Sequence, residues 1–239
     1  MIAISIVSHN HVNDIIRLLN SLEQNDGVII VVRDNFGSAD IERILDIKGH
    51  SRVELIKSDG IHRGYGENHN LNFLYVLNVF SHATHFAVIN PDVIARKLDF
   101  RQFSNIKREI VAPLTVNREG ELTDFCRTNK GLLHTLTSYF DRRLRRASNL
   151  EGYLSGNQWL SGAFLCTDIN TYKILEGFDT SYFMYYEDAD FCRRAHKNGF
   201  KLRVLKDMVI EHEGKRNSKR NWRHLSWHVK SLLRYHLNG

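Results

Sequence analysis

Tyr185, Tyr186, Glu187, Asp188, Ala189, Asp190 and Phe191 place three carboxylates within four residues at the start of a helical pattern. Acidic groups at a helix N-terminus complement the backbone dipole, and Asp190, with Arg193 and Arg194 three and four residues on, reads as part of that pairing. Glu187 and Asp188 instead follow two aromatic residues, and a carboxyl group beside apolar surface has a raised pKa suited to general-base work. One of these two is the expected base. Asn90, Pro91 and Asp92 directly follow an apolar run, where a carboxylate on a stiff turn is placed to grip a divalent cation bridging two phosphates. The same triplet also suits a plain turn or a helix cap. His212 closes the last β-branched run and reads either as a metal ligand or as a surface residue among the chain's 13 histidines. Trp159, Ser161, Gly162 and Ala163 join a flat aromatic to small residues, a surface on which a sugar ring can stack and equally an ordinary strand edge.

The elements that must hold these residues follow from periodicity. Short β-branched runs at 2–7, 28–32, 53–56 and 86–89 alternate with helical patterns, the signature of βαβ units and a mostly parallel sheet. Ile15, Leu18, Leu19 and Leu22 form a core-facing stripe, Ile41, Ile44 and Leu45 repeat it, and Leu71, Leu74 and Leu77 predict a third helix after a Gly-containing loop at 58–66. Ligands of such sheets sit beyond the carboxyl ends of the strands. Here those ends carry Ser8 to Asn10, Asp34 with Asn35, Asp59, and Asn90 with Asp92. Residues 95–155 lose the pattern and read as a basic insertion over the site, with one helix at 132–146. Order returns with a strand at 159–166, helices at 168–176 and 187–198, and short strands at 201–205 and 208–212.

At 239 residues with 42% hydrophobic and 25% charged side chains, the chain fits one folded α/β domain. No apolar run approaches the roughly 20 residues of a membrane helix, and a strand begins at once, so a cytosolic site of action is expected. Cys126, Cys166 and Cys192 are three in number without a CxxC pair, which implies neither a disulfide framework nor a zinc site. A net charge of +6 would suit nucleic acid, an anionic membrane or a phosphorylated small molecule. The carboxylates at the strand ends argue against nucleic acid. A sugar nucleotidyltransferase would need a Gly-rich basic loop after the first strand, and residues 8–13 contain none.

Taken in order, these segments resemble glycosyltransferase family 2, of the GT-A fold, and within it the bacterial rhamnosyltransferase-like enzymes. Residues 4–10 are similar to that family's opening strand, residues 31–35 to its base-binding turn, and Gly64, Tyr65, Gly66 and Asn70 to its glycine segment. Asn90 to Asp92 is similar to its Asp-x-Asp motif, and residues 159–163, 178–194 and His212 complete the set. The resemblance implies a Rossmann-like, mostly parallel sheet flanked by helices, with a nucleotide-binding half at 1–92, an acceptor-binding and catalytic half at 93–214, and a basic helical tail at 215–239. It implies that Ser8, Asn10, Asp34, Asn35, Gly64, Tyr65, Gly66, Asn70 and Asn90 bind a dTDP- or UDP-sugar. Asp92 and His212 would hold Mg²⁺ or Mn²⁺, and Trp159, Ser161, Gly162 and Ala163 would meet the acceptor. Asp188 would be the base, ahead of Glu187. The implied reaction is inverting transfer, with rhamnose a candidate sugar, to a saccharide on a lipid carrier in bacterial O-antigen or surface-polysaccharide synthesis. This chain departs from the family at Asn90, a weaker neutral ligand, at His62 in place of an Asn, and at 37–40, one residue out of step. Two basic clusters, Arg142, Arg143, Arg145 and Arg146, then Lys215, Arg216, Lys219, Arg220 and Arg223, suit salt-sensitive contact with anionic lipid at the inner membrane face or a solvated basic surface.

Overall fold

The computed structural model describes residues 1–22, 27–46, 53–123, 125–129, 131, 153–212 and 222–237. The helix expected at 132–146, with its arginine cluster, and most of the second basic cluster lie outside the described residues.

Strands β1 (Ile2–Ser8), β2 (Val28–Asp34), β3 (Val53–Ile56) and β4 (His85–Ile89) pair in parallel in the order β3-β2-β1-β4. Their alternating side chains feed two apolar layers. Ile2, Ile4, Ile6, Ile30 and Val32 face α1 (Val12–Ser21), whose Ile15, Leu18 and Leu19 are buried, while Ala3, Ile29 and Val31 face α2 (Tyr65–Val79). The pattern at 41–46 forms only a short 3₁₀ helix, Ile41–Asp46, burying Ile41 and Ile44 and leaving Leu45 exposed.

The buried side of α2 differs from the leucine stripe read in the sequence. Leu74 is exposed, and Asn68, His69, Asn72, Phe73 and Val76 face inward. His69 and Asn72 join a buried network: Ser5 Oγ lies 2.7 Å from His69 Nδ1, Asn72 Nδ2 donates to Ser5 Oγ at 2.9 Å, and Arg33 Nε donates to Asn72 Oδ1 at 2.9 Å. Burial pushes the His69 imidazole down to about 3, so it is neutral.

The second half completes an eight-stranded sheet in the order β3-β2-β1-β4-β9-β6-β10-β5. It uses β5 (Ile94–Lys97), β6 (Glu109–Val116), β9 (Phe164–Asp168) and β10 (Lys201–Glu211). Residues 95–155 are therefore not simply an insertion, since β6 lies inside the sheet, antiparallel to β9 and parallel to β10. Pro113 obscures β6 in the sequence, because a proline usually marks an edge strand. Here the pairing with β9 ends at Val111, and β10 bulges between Leu205 and Val209 next to Pro113, so no ladder donor is lost. That bulge also joins the two short strands expected at 201–212 into one.

The expected strand at 159–166 is split into β8 (Gln158–Leu160), paired with β7 (Cys126–Thr128), and β9, with a break at 161–163. After β9, Asp168 caps α3 (Ile169–Ile174) by accepting from Thr171 N, and α4 (Glu187–Lys197) ends before Gly199. A C-terminal helix, α5 (Trp222–Leu237), follows. All three cysteines are buried. No helix among the described residues is long and apolar enough to cross a membrane.

The topology brings the chemistry to one edge. The carboxyl ends of β1, β2 and β4 lie there, β9 begins beside the end of β4 with Phe164 opposite Ile89, and the parallel pair β6 and β10 ends on the same side. Asn70 ties α2 to the loop before α4: its Oδ1 accepts from Tyr172 Oη at 2.8 Å and Phe178 N at 2.9 Å, and its Nδ2 donates to Phe178 O at 2.8 Å. Asn70→Ala should cost about 1–3 kcal/mol, because it leaves the buried Tyr172 hydroxyl without its partner. Urea unfolding measures this, and an unchanged midpoint would show that the clamp adds nothing.

Candidate active site

Asp188 stands in the first turn of α4 and is fixed by backbone donors on both sides. Its Oδ2 accepts from Gly162 N at 2.9 Å and its Oδ1 from Ala189 N at 2.8 Å. Gly162 leaves space for this approach, since a Cβ there would meet Asp188 Cβ at 3.3 Å. The same short segment reaches the other half of the site. The Gly162 carbonyl accepts from Tyr65 Oη at 2.7 Å, and the Ala163 carbonyl accepts from Asn90 N at 2.9 Å. Ser161 N donates to Phe125 O at 3.0 Å. The break between β8 and β9 thus links the candidate base to the turn after β4.

Asp92 Oδ1 lies 3.2 Å from His212 Nε2, and Asn90 Nδ2 lies 3.5 Å from the same nitrogen. These residues come from segments 122 positions apart, and His212 is held by its N–H donating to Val116 O at 3.0 Å. A carboxylate, an imidazole and an amide converging at a strand edge fit a divalent ion. Among the described residues no group of three or more His, Cys, Asp or Glu side chains is gathered. A cation here would draw its remaining ligands from a bound diphosphate and water, as Mg²⁺ commonly does.

At the ends of β1 and β2 the expected residues mostly shape the floor. Asp34 is buried, accepting from Ser38 N at 2.8 Å and Phe36 N at 3.1 Å, and this closes the turn at 34–38. Asn35 pins the 58–64 loop through Arg63, donating to its carbonyl at 2.8 Å and accepting from its N–H at 3.1 Å. Ser8 is buried and its hydroxyl accepts from His11 N, while the exposed Asn10 turns the chain with a φ of 61°. Above this floor is a surface the sequence reading missed. His9, Phe36 and His62 bring their rings together at centroid distances of 5.2, 5.8 and 6.2 Å. Burial, then the neighbouring His11 and His62, lowers the His9 pKa, so its ring is neutral and able to stack. Position 9 directly follows the first strand, which was a signal; positions 36 and 62 meet it only in three dimensions.

Gly64, Tyr65, Gly66 and Asn70 each meet the 178–183 segment that leads to Asp188. A Cβ at Gly64 would lie 2.5 Å from Phe183 O, and one at Gly66 would lie 2.6 Å from Phe178 Cβ. Two glycines therefore let α2 press against the 178–186 loop, where Tyr65 N donates to Phe183 O at 2.9 Å. That loop then reverses through Tyr185 and Tyr186, both left-handed at φ 72° and 66°, before α4 begins. Asp190 is occupied by Arg193 and Arg194, each at 2.7 Å, as the spacing predicts.

Glu187 differs from Asp188 in its surroundings. It is 8% exposed, and its Oε2 has no hydrogen-bond partner among the described residues. Burial foremost, with Asp188 adding to it, pushes its carboxyl up to about 8. Trp159 is half-buried against Tyr186 and Tyr235, and its indole N–H likewise has no partner among the described residues.

No protein-family model matches the chain. Over nearly its whole length it is similar to rhamnosyltransferase WbbL of Escherichia coli (strain K12), 27% identical over 247 residues covering 98% of this chain and 92% of that one. It is also similar to the low-salt glycan biosynthesis hexosyltransferase Agl10 of Haloferax volcanii, 26% identical over 206 residues, and spans 63% of that protein's length. In three dimensions it resembles the crystal structure of S. aureus TarS 1–349 with a TM-score of 0.59 at 15% identity, covering 88% of this chain and 59% of that one. TarS 1–349 in complex with UDP matches at 0.58 and 15% identity, over 97% of this chain and 65% of that one. The sheet and its flanking helices have the GT-A fold, and the named activities of the two curated relatives make the class that of glycosyltransferases. Its similarity to WbbL and Agl10 supports a GT2-like glycosyltransferase.

Glu187 holds its proton to higher pH when folded than its ordinary value of 4.5 allows when unfolded. The stability it contributes is therefore fully present below about 4.5 and is lost as pH rises through about 8. Glu187→Gln should flatten that decline. Urea unfolding of both proteins at pH 5, near the bottom of this window, and at pH 9, about a unit above it, measures it; equal slopes would contradict the buried, protonated state.

Proposed function

We propose that the protein is an inverting, metal-dependent transferase that moves a sugar from a dTDP- or UDP-sugar to a saccharide acceptor on a lipid carrier, in bacterial surface-polysaccharide or O-antigen synthesis. The observation that carries this reading is the short span Asp188, Gly162, Ala163, Asn90, which couples a fixed carboxylate to the turn bearing Asp92. Residues 1–92 would bind the donor, with its base on the rings of His9, Phe36 and His62, and residues 93–214 the acceptor. The UDP held by TarS and the rhamnosyltransferase activity in WbbL's name support the donor class and rhamnose as the sugar to test first.

Asp188 takes the proton of the acceptor hydroxyl as its oxygen bonds to the anomeric carbon; the bond from that carbon to the diphosphate oxygen breaks on the opposite face, and the nucleoside diphosphate leaves with the electron pair. Two backbone N–H groups orient the carboxylate, so little reorganisation accompanies the transfer. One carboxylate acts alone, which supports inversion by single displacement. Asp92 and His212, aided by Asn90, would hold Mg²⁺ or Mn²⁺, whose charge stabilises the leaving diphosphate. Trp159 would meet the acceptor beside Ser161, Gly162 and Ala163. Glu187, buried and protonated, is the weaker candidate base.

Asp188→Asn should lower transfer about 10²- to 10⁴-fold while leaving nucleoside diphosphate binding intact. Nucleotide release from a panel of dTDP-, UDP- and GDP-sugars measures it. A dead Glu187→Gln beside an active Asp188→Asn would reassign the base. Asp92→Ala and His212→Ala should each weaken Mn²⁺-dependent binding of nucleoside diphosphate by about tenfold or more, read by calorimetry. Unchanged metal dependence in His212→Ala would return His212 to an ordinary surface residue.

A further inference from the structure

Helix α5 packs on the protein through one face. Ser231 Oγ donates to Met184 O at 2.9 Å, Tyr185 Oη lies 2.9 Å from His224 Nδ1, Tyr235 lies over Tyr186 at 5.3 Å, and Trp227 meets Phe183 at 4.7 Å. Leu232 and Tyr235 are buried there. Away from that face, Trp222, Leu225, Val229, Leu233 and Leu237 succeed one another at three- and four-residue spacing, which on a helix is one continuous stripe. They are 75%, 40%, 42%, 43% and 77% exposed. Contiguous apolar surface of this kind marks a docking site.

The charge around the stripe selects its partner. Arg223, Lys230 and Arg234 are exposed on the same helix, and residues 214–239 contain seven Lys and Arg with no Asp or Glu. Two copies of such a helix would repel each other, having no carboxylate to pair with. An anionic bilayer offers both complements, acyl chains for the stripe and headgroups for the cations. We propose that α5 lies in the interface of an anionic membrane with this stripe inward. This names the surface for the membrane contact in the functional reading above and rests on that reading for its purpose. The opposite face of α5 touches Phe183, Met184, Tyr185 and Tyr186, the residues that lead into the helix of Glu187 and Asp188. Docking would hold the base close to an acceptor whose carrier lies in the bilayer.

The test is sedimentation of the full chain with phosphatidylglycerol-containing and with pure phosphatidylcholine vesicles, at low and high salt. Binding to anionic vesicles at low salt is expected, weakened by salt and by neutral lipid. Leu225→Glu with Leu233→Glu should reduce binding about tenfold or more, and Arg223→Glu with Lys230→Glu should remove the preference for anionic lipid. Both variants should bind nucleoside diphosphate as the wild type does, which checks folding and tests the donor site separately from the membrane face. No wild-type binding to anionic vesicles, or undiminished binding by the Leu225→Glu, Leu233→Glu variant, would overturn the proposal. So would a dimer in sedimentation equilibrium that this variant dissolves, since the stripe would then join two copies.

Discussion

Gly162 donates its N–H to Asp188 Oδ2 and receives the Tyr65 hydroxyl on its carbonyl, while the next carbonyl receives Asn90 N. Three segments distant in sequence are fixed relative to one another by consecutive peptide groups. A backbone donor cannot swing away as a side chain can, so the carboxylate keeps its direction without a long charged partner. The break between β8 and β9 is the structural consequence, because a regular strand would commit these groups to ladder bonds.

The start of α4 is held by a second constraint. Tyr185 and Tyr186 are consecutive left-handed residues, a conformation that costs of order 1–3 kcal/mol each outside glycine. It is offset by what the two rings gain: Tyr185 at His224, Tyr186 between Trp159 and Tyr235. The strained loop presents Glu187 and Asp188 as the first residues of a helix. The C-terminal helix thereby supports the site without entering it.

The early strands and the acidic helix start were legible because their signals are local: β-branched runs at 28–32 and 86–89, and three carboxylates before a helical pattern. The approach of Asn90 and Asp92 to His212 could be anticipated only through the order of motifs, since no local signal joins Asn90 to a residue 122 positions away. Three features were hidden for physical reasons. Pro113 disguised β6, its cost absorbed by a bulge in the neighbouring strand. Hydrophobicity misjudged α2, whose inward face satisfies Ser5 and Arg33 with His69 and Asn72. The glycines at 64 and 66 were legible as a motif, but the approach of Phe183 and Phe178 that their missing side chains admit is set only in three dimensions.

The central claim is that one edge of the sheet binds a cation and diphosphate between the donor floor and Asp188. A crystal structure with nucleoside diphosphate and Mn²⁺ tests it most directly, through the anomalous signal of manganese. The account predicts the metal bonded to Asp92, His212 and the diphosphate, the base against His9 and Phe36, and open space in front of Asp188. Manganese bonded elsewhere, or a diphosphate away from the ends of β1, β2 and β4, would contradict it.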